Sequence, residues 1–235
     1  MCKERDWIMK SGRLFFAAVA VCVLFACSAV FAAEKKAEKV PLKKDMETIV
    51  GIGKSAEGIY DSVKAGKWTA ASGKVKSLRK TILSNEVVKI IGGKDVDRLN
   101  AALDAVDAAA AAKDKKGAMD AANKLTLATI QIAGRFNPLI PIGVKLLEYY
   151  GRELDISAMT KDTARMKKTI QDIGKTWETV KGPVREQGGV VEEKALSLIV
   201  AGLQKAGSNT ELIADLYPKL FEQLKNVEKI FEKKK

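Results

Sequence analysis

The sequence predicts an all-α protein: up-and-down antiparallel bundles built from helical hairpins, behind an N-terminal signal peptide. Three observations predict it. Past residue 45, apolar side chains recur at three and four residues, the spacing of one helix face. The composition is poor in aromatics, at 6%, and rich in Ala, Leu, Lys and Glu, which favours helix. Connections between the periodic segments are short, so sequential helices should be antiparallel neighbours. Alternating runs are too short for strands.

Residues 1–32 read as the signal peptide. Lys3, Arg5, Lys10 and Arg13 form its basic start. An apolar run from Leu14 to Phe31 follows, broken only by Ser28. Val30 and Ala32 supply the small side chains expected before a cut between Ala32 and Ala33. Two other readings stay open. Leu24-Phe25-Ala26-Cys27 looks like a lipobox, which would place a lipid on Cys27, although Phe25 is bulkier than that pattern prefers. The apolar run also approaches the roughly 20 residues of a membrane-spanning helix.

Residues 33–44 form a mobile basic and acidic lead-in, and 45–136 an N-terminal helical bundle. Its first helix runs from about Asp45 to Ala65 and stops at Gly66. On it, Gly51 and Gly58 lie seven apart on one side and offer a neighbouring helix a close approach. Trp68, Ala71, Val75, Leu78 and Ile82 make the next stripe. A short piece, Val87 to Ile91, ends at Gly92-Gly93. Asp95 is placed to cap a helix with the stripe Val96, Leu99, Leu103 and Val106. Ala108 to Ala112 suggest close helix packing. A further helix carries Met119, Ala122, Leu125, Ile132 and Phe136.

Asn137-Pro138-Leu139-Ile140-Pro141 breaks the pattern, because two prolines three apart do not fit a helix interior. We read 137–141 as an elbow and 142–235 as a C-terminal bundle, separate from or continuous with the first. A short helix, Leu146 to Glu153, ends at Gly151. The next carries Met159, Thr163, Met166, Ile170, Ile173, Trp177 and Val180, and Gly182-Pro183 stops it. Past Gly188-Gly189 the stripe is Val191, Ala195, Leu198, Ile199, Leu203 and Ala206. Ser208 and Glu211 have capping-box spacing ahead of the last helix. That helix carries Ile213, Leu216, Leu220, Leu224, Val227 and Phe231, and Pro218 should kink or split it.

Cys2, Cys22 and Cys27 are the chain's three cysteines, all in the leader, and there is no histidine. A cleaved chain therefore has no disulfide framework, no Cys/His zinc site and no Ser–His or Cys–His nucleophile pair. Any general acid or base would be Asp, Glu, Lys or Tyr. Gly51-Ile52-Gly53-Lys54-Ser55 has a superficial likeness to a phosphate loop but lacks the first glycine and a preceding strand. Asp104 with Asp107, Glu211 with Asp215, and Glu192-Glu193 read as solvated acids. We expect no metal and no cofactor.

Without its leader the chain keeps a net charge of +10, carried by 31 Lys and 6 Arg scattered in small clusters. Lysine is a hydrated point charge rather than a planar reader of phosphates and bases. No aromatic–basic platform for nucleic acid is present. The expected function is an exported, non-enzymatic binding, scaffold or accessory protein of the bacterial cell envelope, in the periplasm or outside the cytoplasm. Its partner would be another protein or an anionic envelope component. One alternative is a charge-driven binder of anionic lipid or polysaccharide, lipid-anchored at Cys27. A second is a small-ligand carrier or enzyme using Tyr, Lys and carboxylates. Membrane association is expected only if the leader is retained or Cys27 is lipidated. The candidate binding residues are Asn137, Tyr149, Tyr150 and Arg152, which join an irregular Pro-rich loop to two aromatic rings and a cation.

Overall fold

Four short polar side chains start helices in this chain by accepting backbone N–H groups that have no partner within the helix. The computed structural model describes residues 43–233. The expected cleavage at Ala32–Ala33 and lipidation at Cys27 lie outside the described residues. Among these residues there are nine α-helices, one 3₁₀ turn and no strand, so the chain is all-α. The helices are α1 (Lys43–Lys64), α2 (Trp68–Ile82), α3 (Asn85–Ile91), α4 (Gly93–Ala111), α5 (Lys115–Ala133), α6 (Ile142–Met159), α7 (Thr163–Glu186), α8 (Val190–Ala206) and α9 (Thr210–Glu232). None is long and apolar enough to cross a membrane. The four caps are Ser84 on α3, Asp114 on α5, Asp162 on α7 and Asn209 on α9. Gly66 and Gly188 turn the chain with φ of 69° and 92°, where a side chain would be strained.

Several local expectations need correction. Asp95 sits within the first turn of α4, whose N-cap is Gly92. Asn209, not Ser208, caps α9, because its carboxamide oxygen accepts from Glu211 and Leu212 N–H. Gly151 does not end a helix: α6 runs through it to Met159. Pro183 and Pro218 both lie inside continuous helices. Each proline is exposed, as is the residue four before it, so water can satisfy the freed carbonyl and the ring meets no neighbouring helix. Met159 and Thr163 face solvent, so the α7 stripe begins at Met166. Of the alanine run only Ala109 packs against the core, while Ala108, Ala111 and Ala112 are exposed, so close packing holds for part of it alone. A Cβ on Gly51 would meet nothing within 4 Å, and one on Gly58 only the flexible end of Lys74, so neither admits a close helix.

The largest correction concerns α8. Its buried face is Glu193, Leu196, Val200, Leu203 and Ala206. Val191 and Leu198 are 76% and 75% exposed. The face is turned by a polar chain: the Trp177 indole N–H donates to Ser197 Oγ at 3.0 Å, and Ser197 donates to Glu193 Oε1 at 3.3 Å. Arg185 pairs with the other Glu193 oxygen at 3.1 Å. Glu193 is thus a buried, partnered acid rather than a solvated one.

Buried apolar side chains form two clusters. The first gathers α1 to α5 and takes Ile156 from α6. The second gathers α6 to α9 around Trp177, Leu147 and Leu154. Helix α6 packs against α5, α7 and α9, and α1 packs against α2 and α5. Between the clusters α6 presents charge. Lys145, Glu148, Arg152 and Asp155 are spaced three, four and three, the heptad spacing of one helix face.

Candidate functional site

The charged face of α6 meets α1 and α9 through long side chains. Lys145 Nζ lies 3.0 Å from Glu148, 3.5 Å from Glu57 on α1 and 2.5 Å from Glu228 on α9. Burial pulls the Lys145 ammonium down, but Glu148, Glu57 and Glu228 outweigh it and hold the group above the ordinary lysine value. Glu148 is only 5% exposed. Burial and the nearby Glu57 charge push its carboxyl up to about 7, against the opposing pull of Lys145.

One and two turns further along α6 the same seam is ion pairs and aromatic rings. The Arg152 guanidinium, 5% exposed, lies 5.7 Å from the Tyr60 ring centroid and 5.5 Å from that of Phe221. Arg152 Nη2 is 3.5 Å from Glu57, while its Nη1 is buried with no hydrogen-bond partner. The Tyr60 hydroxyl donates to Asp155 at 2.8 Å, and Lys64 pairs with the same carboxylate at 2.7 Å. Burial and the Asp155 charge raise the Tyr60 phenol far above its ordinary value, so it is a neutral donor at any physiological pH. Gly151 lets α9 come close. A Cβ there would lie 2.6 Å from the Phe221 ring, so this glycine is a contact surface.

Above the ionic seam the helices part. A cleft of about 460 Å³ opens between α1, α5, the elbow, α6 and α9. That volume falls in the usual range for small-molecule sites. Its walls are mainly apolar: Met46, Val50, Ile130, Leu139, Ile140 and Ile142. Lys145, Glu57 and Glu228 bring the charged cluster to one side of it, and Gly51 and Gly53 keep the α1 wall low.

The sequence-predicted residues fall around this centre rather than in it. Asn137 is exposed, in left-handed backbone at φ 47°, and ends the 3₁₀ turn Gly134–Phe136. It shapes the elbow, while Pro138, Leu139 and Ile140 face the cleft. Tyr149 and Tyr150 stand edge to face, ring centroids 5.2 Å apart, in a second, shallower groove of about 540 Å³. Burial, then the charges of Glu153 for Tyr149 and Asp172 for Tyr150, raise both phenols. Arg152 is sealed between rings, so it braces the site from behind. The structure therefore brings Arg152 to the seam and leaves Asn137 and the tyrosine pair outside the cleft. It adds Glu57, Lys145, Glu148 and Glu228. The sequence carried a signal for three of the α6 residues: a heptad-spaced stripe of charge where heptad spacing normally places apolar residues.

Behind α6, Arg165 on α7 joins Glu153 on α6 and Asp120 on α5, at 2.7 and 2.6 Å. Asn123 Nδ2 donates to the other Glu153 oxygen at 2.7 Å. This clamp fixes α6 against α5 and α7, and so holds the charged stripe whose first residue, Lys145, reaches the cleft. Comparison with protein-family models, curated proteins and solved structures finds no match for this chain.

Proposed function

We propose that this chain is an exported, non-enzymatic binding protein of the cell envelope, a bundle of helical hairpins whose cleft receives the apolar part of a partner molecule. The observation that carries the reading is the cleft between α1, α5, α6 and α9, apolar-walled and edged by a half-buried ionic cluster. Apolar walls supply affinity through removal of surface from water, and a few fixed polar groups supply orientation. The cluster is mutually paired, which suits holding better than proton transfer. The leader supports export, and the absence of histidine and of mature-chain thiols supports a binding role over a catalytic one.

The test is uptake of a neutral solvatochromic dye by the full chain and by Gly51→Leu. Gly51 lines the cleft, and a Cβ there meets nothing, so leucine adds bulk without a clash. Leucine also favours a helix over glycine by about 1 kcal/mol. The dye should bind the native chain and lose most of its affinity for the variant. Equal uptake by both would overturn the cleft as the binding site. Intact mass and cell fraction test export: a soluble envelope form starting at Ala33 supports it, and a full-length cytoplasmic form overturns it.

A further inference from the structure

We infer that the outer face of α8 seats the protein on an anionic phospholipid surface, its apolar side chains entering the interface and its lysines meeting the headgroups. The inference goes beyond the cleft and does not depend on it. Helix α8 packs against α7 and α9, which leaves its other side to solvent. Val191 and Leu198, 76% and 75% exposed, lie seven residues apart on that side, about 10 Å along the axis. Val190 is exposed beside them. Leu212, 52% exposed, carries the face onto α9: it stands one turn before Leu216, which packs against Gly202 of α8. Lys194 and Lys205 flank the ridge, and the exposed residues of α8 include no acid. Glu193 is buried and paired with Arg185. Glu192 is half-buried, about 100° round the helix from Val191.

Charge selects the occupant. A second copy of this face would set Lys194 and Lys205 against the same lysines, with no exposed acid on α8 to answer them, and like charges so juxtaposed repel. An anionic lipid surface answers both, and each lysine near such a surface strengthens binding about fivefold. The chain's net charge of +12 acts in the same direction at longer range. Shape points the same way. The apolar side chains stand out on the ridge of one helix, and a fluid interface closes around protruding groups for which a rigid partner would need a matching groove. No described helix is long and apolar enough to cross a membrane, so α8 would lie along the surface. The lysine stems would add apolar cover while their ammonium groups stay with the phosphates.

The experiment puts a fluorescent ring on the face: Leu198→Trp in the full chain, added to vesicles whose brominated acyl chains quench any tryptophan that reaches them. Ala108→Trp, at an exposed position on α4, carries the same ring and accounts for the affinity of tryptophan itself and of the leader for membranes. Emission is read against that of the native chain. On vesicles of phosphatidylglycerol and phosphatidylcholine in equal parts, Leu198→Trp should be quenched severalfold more than Ala108→Trp. The excess should fall severalfold on phosphatidylcholine alone and at high salt. Adding Lys194→Gln and Lys205→Gln should raise the lipid concentration for half-maximal quenching by at least about tenfold. Val191→Trp should behave as Leu198→Trp, so a folding defect in one variant leaves the other to decide. Quenching on the face no greater than that of Ala108→Trp would overturn the proposal. Excess quenching equal on the two lipids, or indifferent to the lysines, would overturn the anionic surface as the occupant. Absent quenching together with a dimer that Leu198→Asp breaks would assign the face to a second copy instead.

Discussion

The Tyr60 hydroxyl on α1 donates to the Asp155 carboxylate on α6 at 2.8 Å, and so ties one apolar cluster to the other. Both partners are largely shielded, and Lys64 already neutralises the carboxylate. Tyr60→Phe keeps the ring beside Arg152 and removes only the donor. It should lower stability by about 1 kcal/mol, read as a shift of the urea midpoint at unchanged slope. An unshifted midpoint would show that the bond adds nothing across the seam.

Glu148 makes stability depend on pH. Its folded value, about 7, lies above the ordinary 4.5, so the folded chain holds a proton that the unfolded chain releases. Its contribution is complete below about pH 4.5, declines as pH rises, and is gone above about pH 7. Glu148→Gln cannot ionise. Relative to the native chain it should gain roughly 1–3 kcal/mol between pH 4.5 and pH 8. Paired denaturation curves at the two pH values check this, and a constant difference would contradict it.

Arg165 answers two carboxylates on two other helices. Arg165→Leu would leave Glu153 and Asp120, both mostly shielded, without their cation. The expected cost is about 2–4 kcal/mol, below the full penalty for a deeply buried pair because solvent still reaches the group. The loss should shrink when Glu153→Gln and Asp120→Asn are added, since the stranded charges are then removed. An additive triple variant would argue against a coupled clamp.

On α8, Leu196 and Leu198 are two residues apart and differ completely in burial. Leu196→Ala should cost about 2–5 kcal/mol through lost burial and a cavity. Leu198→Ala should stay within about 0.5 kcal/mol. Reversed values would restore the face read from the sequence.

Helix content was legible because each stripe on α2, α4 and α9 is apolar at regular spacing and faces a core. The α8 face was not, because the helix offers two apolar sides. Selection between them falls to Glu193, whose partners are Ser197 on α8, itself bonded by Trp177, and Arg185 on α7. Gly151 was misread for a similar reason. A glycine that ends a helix and one that admits a neighbour look alike until Phe221 is in place. For the site, the stretch 137–152 was singled out, and it supplies the elbow wall, Ile142 and Lys145. The cluster itself was hidden. Glu57, Lys145 and Glu228 are remote in sequence, and a scan for apolar periodicity passes over a charged stripe.

Gly151 lies six residues from Lys145, about 9 Å along the α6 axis. Phe221, which rests on it, lies seven residues from Glu228 on α9. The two helices run in opposite directions here, so one pair of contacts gauges the other. The hydrogen standing where a methyl group would be sets how far apart the two rods lie, and with it the separation of the charges beside the cleft. The aperture is dimensioned from outside itself: the same lining residues would frame a wider opening if the distant shim were one carbon thicker.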